Sequence, residues 1–168
     1  MIRHLGPGDL DIFRRIRLEA LRTEPAAFAS SAEDWEALPD AEWRRRLIAN
    51  AVFVDFHEEE PVAIMALMRQ GASKMAHRAT VIMVYVRKGR RGGGHAKALL
   101  DAVIAHAREA GIRQLELAVS GENPAAIRFY QREGFAEAGR IAAGTIHEGR
   151  EIEEILMLRR IDGVTATQ

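Results

Sequence analysis

The apolar positions of this chain change period several times, and each change marks an element. After "IRHL", a short strand candidate, Leu10, Phe13, Ile16, Ala20 and Leu21 recur at helical spacing. Asp9 stands where a cap belongs, and Pro25 closes the helix. "PDAEWRRRLIAN" reads as a second helix, with Asp40 as its cap and Trp43 and Leu47 pointing inward. The period then shortens. "AVFVDF" and "VAIMALM" flank the polar "HEEEP", which predicts a hairpin. "ATVIMVYV" (79–86) is an almost unbroken apolar run rich in β-branched residues, as expected of a strand covered on both faces.

A basic, glycine-dense hinge follows, and then the helical period returns over Ala96, Leu99, Leu100, Val103, Ile104 and Ala107. Gly111 ends that helix and "QLELAV" (114–119) is the next strand, so strand, helix and strand form a right-handed crossover between parallel strands. In "ENPAAIRFYQREGF" Asn123 is an N-cap, Pro124 fits the first helical position, and Gly134 fits the position past the end. Two strand-like stretches around "HEGRE" close the chain. The predicted fold is α/β (α+β): a mixed, mostly antiparallel central sheet flanked by helices, in a single domain over 1–168.

Composition narrows the function classes. With 24 basic and 24 acidic residues the formal net charge is zero, so no global field recruits nucleic acid or an anionic membrane. The chain has no cysteine, which excludes disulfides, thiolate metal sites and a cysteine nucleophile. Its six histidines form no H-x-x-x-H pair, so no metal is expected. The first residues lack a signal-peptide core and no run spans a bilayer, which predicts a cytoplasmic protein without membrane contact.

The hinge "VRKGRRGGGHAKALL" places a helix N-terminus at the end of a buried strand, where unpaired N–H groups and the helix dipole favour phosphate. Two phosphate motifs fail here. A P-loop needs a hydroxyl after its lysine, and Ala98 follows Lys97. A dinucleotide fingerprint fits Gly92 and Gly94 but needs a small residue where Lys97 stands.

A third pattern fits. Arg91-Gly92-Gly93-Gly94-His95-Ala96 resembles the [R/Q]-x-x-G-x-[G/A] pyrophosphate loop of the GNAT superfamily of N-acetyltransferases, with Val86 at the family's interval before it. Downstream, Leu117, Val119, Asn123, Ala126, Tyr130, Gly134 and Phe135 stand where the family's next block wants them. The two blocks together cover roughly 79–136, and the opening strand and helix also look like the family's.

The resemblance implies transfer of an acetyl group from acetyl-CoA, as co-substrate, to a primary amine by direct attack. The backbone of Val84, Tyr85 and Val86 would pair with the pantetheine arm, in a slot opened by splayed parallel strands, commonly at a bulge. The amides from Gly92 through Gly93, Gly94, His95 and Ala96 to Lys97, with Arg91 beside them, would hold the pyrophosphate. Asn123 would touch the cofactor, and Tyr130 would protonate the leaving thiolate. The residues alone favour a core aromatic for Tyr130, and they read Asn123 equally as a helix cap. Some relatives carry a glutamate base where this chain has Ala118. Glu116, one pleat repeat or roughly 6.6 Å away, His77 and a water all stay open as the base. Acidic residues such as Glu24, Glu33, Asp34, Glu36, Glu148 and Glu151 suit a cationic acceptor. Relatives are often dimers, so a homodimer is expected. The alternative function is a non-catalytic acyl-CoA-binding module on the same scaffold.

Overall fold

The computed structural model describes residues 1–163. A seven-stranded sheet runs in the order β1-β2-β3-β4-β5-β7-β6. Its strands are β1 (Ile2–His4), β2 (Ala51–His57), β3 (Glu60–Arg69), β4 (Arg78–Val86), β5 (Gln114–Ser120), β6 (Ala136–His147) and β7 (Arg150–Arg160). Five helices flank it: α1 (Leu10–Thr23), α2 (Ala32–Glu36), α3 (Asp40–Ala49), α4 (His95–Glu109) and α5 (Pro124–Arg132). All neighbouring strands pair antiparallel except β4 and β5, which the α4 crossover makes parallel. The mixed, mostly antiparallel sheet is therefore the one the hydrophobic pattern predicts.

Two apolar layers follow from the alternation along the strands. On one face α1, α2 and α3 cover β2 to β4, with Phe13, Ile16, Leu21, Trp43 and Leu47 buried against Val52, Val54, Ile64 and Tyr85. On the other, α4 and α5 cover the middle of the sheet, burying Leu99, Leu100, Val103 and Tyr130 against Met65, Leu115, Leu117 and Met157. No helix among the described residues is long and apolar enough to cross a membrane.

The hairpin between β2 and β3 turns at Glu58 and Glu59, both with positive φ, 54° and 69°. Such a turn matches the twist of the strands, which outweighs the poor fit of two glutamates to that backbone. Several local expectations need correction. Asp9 takes the N-cap position of α1 but makes no side-chain cap bond; its carboxylate accepts instead from the Gly6 amide and from Arg3, each at 2.8 Å. Asp40 is the first residue of α3, and Pro39 takes the cap position without a side-chain bond. The short helix α2 lies between the two helices that the apolar period predicts. Ser31 and Asp34 form a reciprocal capping box there, a signature legible in the sequence. The 79–86 strand is covered on both faces only in part, because Ile82, Met83, Val84 and Val86 stay half-exposed.

Candidate functional site

The half-exposure of β4 has a topological cause. The parallel ladder with β5 joins only Arg78, Ala79 and Thr80 to Gln114, Leu115 and Glu116. Beyond Thr80 the strands part. On its other side β4 still pairs with β3, but the register jumps: Ala66 faces Ile82 while Ile64 faces Tyr85. Two residues, Met83 and Val84, thus stand against the single Met65, and Met83 adopts φ 58°. This is a β-bulge; it adds local twist and turns the end of β4 away from β5. The β5-facing edge of residues 81–86 is left without a strand, over about 20 Å at the usual rise per residue.

The expected cofactor residues gather at this opening. Val84, Tyr85 and Val86 form the free edge, and the chain then passes through a single helical turn at Lys88–Arg90 into the glycine loop. Gly92 and Gly94 have φ of 81° and 85°, a left-handed backbone that glycine adopts at little cost. Gly94 is the N-cap of α4, and Gly92, Gly93 and Gly94 are all exposed, with no side chain capping the helix. The amides from His95 onward open α4, where N–H groups lack intrahelical partners. The Arg91 side chain folds back, donating from Nε to the Val86 carbonyl at 3.1 Å and pairing with Glu24 at 2.6 Å.

His95 departs from a simple phosphate-facing or solvated reading. Its Nδ1 lies 2.7 Å from Oδ2 of Asp55 on β2, a buried carboxylate. Burial opposes the charge on Asp55, yet the bonds from His95 and the Met1 amino group outweigh it and hold the acid below its usual value. The His95 backbone stays at the loop while its imidazole ties α4 to β2. Lys97 Nζ pairs along the helix with Asp101 at 3.1 Å and also with Glu133 at 3.7 Å, beyond the end of α5.

On the β5 side, Asn123 accepts from the Ala126 amide at 3.1 Å and caps α5, with Pro124 in the first turn. Seven residues on, Tyr130 is 4% exposed, its ring in edge contact with Phe135 at 5.6 Å and tilted on Phe129 at 5.3 Å. Its hydroxyl takes no hydrogen bond from the described residues, and it is not among their sealed, unpartnered polar atoms. The ring is therefore core while the phenol oxygen reaches a surface. Burial pushes its pKa up, which keeps it protonated.

Two residues weighed as a base lie elsewhere. Glu116 sits at the crotch where the strands part, and Arg78 grips it at 2.9 and 2.6 Å. These bonds hold its carboxylate below the usual range. His77 precedes β4 at the strand's far end, its carbonyl accepting from the amides of Arg113 and Gln114. Three of the six acids expected to greet a cationic acceptor are engaged as well: Glu24 with Arg91, Glu36 with Arg22, and Asp34 in the Ser31 capping box.

A strand pair that parts at a bulge, beside an uncapped helix behind glycines, is a recognisable constellation. The model of the Acetyltransferase (GNAT) family matches residues 15–135. The chain belongs to this acetyltransferase family. An uncharacterized N-acetyltransferase of Methanocaldococcus jannaschii is 30% identical over 138 residues, which are 81% of this chain and 60% of that protein. The chain thus aligns with less than two thirds of that relative's length. Solved structures agree in fold. A GNAT acetyltransferase from Streptococcus pneumoniae superposes with a TM-score of 0.81 at 23% identity, covering 95% of this chain and 98% of that one. A phosphinothricin acetyltransferase from Sinorhizobium meliloti, solved in complex with acetyl-CoA, gives 0.82 at 20% identity, covering 100% of this chain and 91% of that one.

Proposed function

We propose that this chain is an acetyl-CoA-dependent N-acetyltransferase in which a primary amine attacks the thioester directly. The observation that carries the reading is the unpaired edge of β4 beyond Thr80, ending at the exposed glycine loop. An extended pantetheine arm carries amides that can bond to the backbone of Val84, Tyr85 and Val86 as a missing strand would. The amides from Gly92 to Lys97 and the α4 dipole then meet the pyrophosphate, with Arg91 released from Glu24 to join them. Asn123, while capping α5, lies beside the same opening.

Holding thioester and amine together supplies most of the rate, since it replaces a bimolecular encounter by an oriented one. As the amine nitrogen bonds to the acetyl carbon, the carbon–sulfur bond breaks and the sulfur leaves as a thiolate. Tyr130 is the group proposed to give that thiolate its proton. A buried ring with a reachable hydroxyl and a raised pKa suits an acid that must stay protonated. Glu116, ion-paired to Arg78, is poorly placed to accept a proton, which favours water as the route by which the ammonium is deprotonated. The single-domain organisation and a homodimer are carried as parts of the same reading. The exposed Ile141 and Ile146 on edge strand β6 support an interface there.

Calorimetry with acetyl-CoA and a screen of amines for CoA release test this. Binding with amine-dependent release is expected. Binding without release from any amine selects the non-catalytic acyl-CoA module, and absence of binding removes both readings.

A further inference from the structure

Among the described residues, three side-chain polar atoms are buried without a hydrogen-bond partner: Nε and Nη1 of Arg17 and Nε1 of Trp35. All three are donors, and they share one cluster. Arg17 projects from the middle of α1 and is 4% exposed. Its guanidinium carbon lies 4.6 Å from the Trp35 ring and 4.9 Å from that of Phe28. Arg46 of α3 brings a second guanidinium carbon to 4.6 Å from the same indole. Arg14, Arg15, Arg22 and Arg46 on these helices each have a carboxylate partner; Arg17 has no ion pair among the described residues.

Aromatic faces attract a guanidinium but leave its in-plane N–H groups without acceptors. A buried cation without a counter-charge is costly, and an unsatisfied group in a native fold calls for an explanation. The cluster asks for an anion with several lone pairs. A carboxylate has about four acceptor positions and fits that demand.

The place fits an acceptor. α1 ends over β4, where Glu19 and Thr23 meet the Tyr85 hydroxyl at 3.0 and 3.2 Å. Phe28, on the loop leaving α1, is half-buried against the same apolar layer as Ile82 and Met83 at the bulge. On this face no helix residue of that layer reaches β5, and Ala118 is exposed in mid-strand. α1 and the Phe28 loop thus border the β4 side of the opening on this face.

Resting on the acetyl-transfer reading above, we propose that Arg17 and Trp35 bind a carboxylate carried by the acceptor, so that the chain acetylates amino acids in preference to simple amines. CoA release is measured with a panel of amino acids, each set beside its amide and its decarboxylated amine. The acids are expected to exceed their neutral partners by about ten- to a hundred-fold in kcat/KM, the range for hydrogen bonds to a charged group. Arg17→Met should erase this preference while acetyl-CoA binding persists, and Arg17→Lys should restore part of it. Equal use of acids and amides by the unsubstituted protein overturns the proposal, as does a folded Arg17→Met variant that keeps the preference. If Arg17→Met does not fold, the comparison in the unsubstituted protein decides alone.

A second readout needs no catalysis. The chain has two tryptophans, and Trp35 lies against Arg17. Titration with the same compounds should change tryptophan fluorescence for the acids and not for the amides. If no amine is acetylated, acetyl transfer fails as a reading, and this titration still decides the carboxylate site. A response confined to acids supports the site, and an equal response to both, or none, removes it.

Discussion

At the residue scale Tyr130 shows how one side chain satisfies two demands. Its ring fills the core between Phe129 and Phe135, and its hydroxyl, without a hydrogen-bond partner among the described residues, is the group proposed to serve the leaving thiolate. Tyr130→Phe removes only the oxygen, so stopped-time assays of CoA release should show kcat down by about a hundredfold or more, with acetyl-CoA affinity unchanged. The same burial predicts a pH effect. The folded pKa is raised above that of the unfolded chain. The stability it contributes is therefore complete below the ordinary phenol value of about 10 and is lost as pH rises through the raised folded value. Urea titrations between pH 9 and 11 should show this loss in the parent and a smaller one in Tyr130→Phe.

At the element scale the glycine loop is a backbone device. An added Cβ at Gly94 would meet nothing within 4 Å, so the position demands glycine for its φ of 85° alone. Gly94→Ala should cost about 1–2 kcal/mol in thermal or urea unfolding, the penalty for a left-handed backbone with a side chain. Acetyl-CoA titration of this variant should give a weaker Kd, because relief of the strain rotates the amides that open α4. The bulge at Met83 is the matching device on the strand side. The loop was legible in the sequence through its spacing to the Asn123–Tyr130 block, since glycines before a helix serve an ordinary tight turn equally well. The bulge was not, because "VIMVYV" alternates no differently where the register slips. The caps divide in the same way. Asn123 fulfils its sequence pattern; Asp9 holds the N-cap of α1 without a side-chain cap bond, and Asp40 sits one step past its cap.

At the scale of the whole molecule, a three-residue parallel ladder joins the β1–β4 half of the sheet to the β5–β7 half. One apolar layer bridges the join, from Phe53 and Met65 through α4 to Leu117 and Met157. The Arg78–Glu116 pair stands at the seam where the strands part. Bonding to Arg78 lowers the Glu116 pKa below its unfolded value. Its contribution to stability is thus present above about pH 4.3 and lost as pH falls through the lowered folded value. Glu116→Gln should flatten the acid side of the stability profile, measured by urea unfolding from pH 7 to 3. It should also lower stability at pH 7, because the Arg78 guanidinium loses its carboxylate partner.

The sequence by itself determined the order of the principal elements, the parallel crossover and the match to the family's motifs. Each rests on local period, turn chemistry or fixed spacing within about fifty residues. Only the tertiary structure decided how far β4 and β5 stay paired, that His95 is tied to Asp55 and Glu116 to Arg78, and that Arg17 is left without an ion-pair partner among the described residues. The physical reason is separation along the chain: a hydrogen bond, an ion pair or an orphaned donor is set by groups that meet only when distant segments pack. In sequence, Arg17 is one arginine of a basic, amphipathic helix. In the fold it is a buried cation that no acid among the described residues answers.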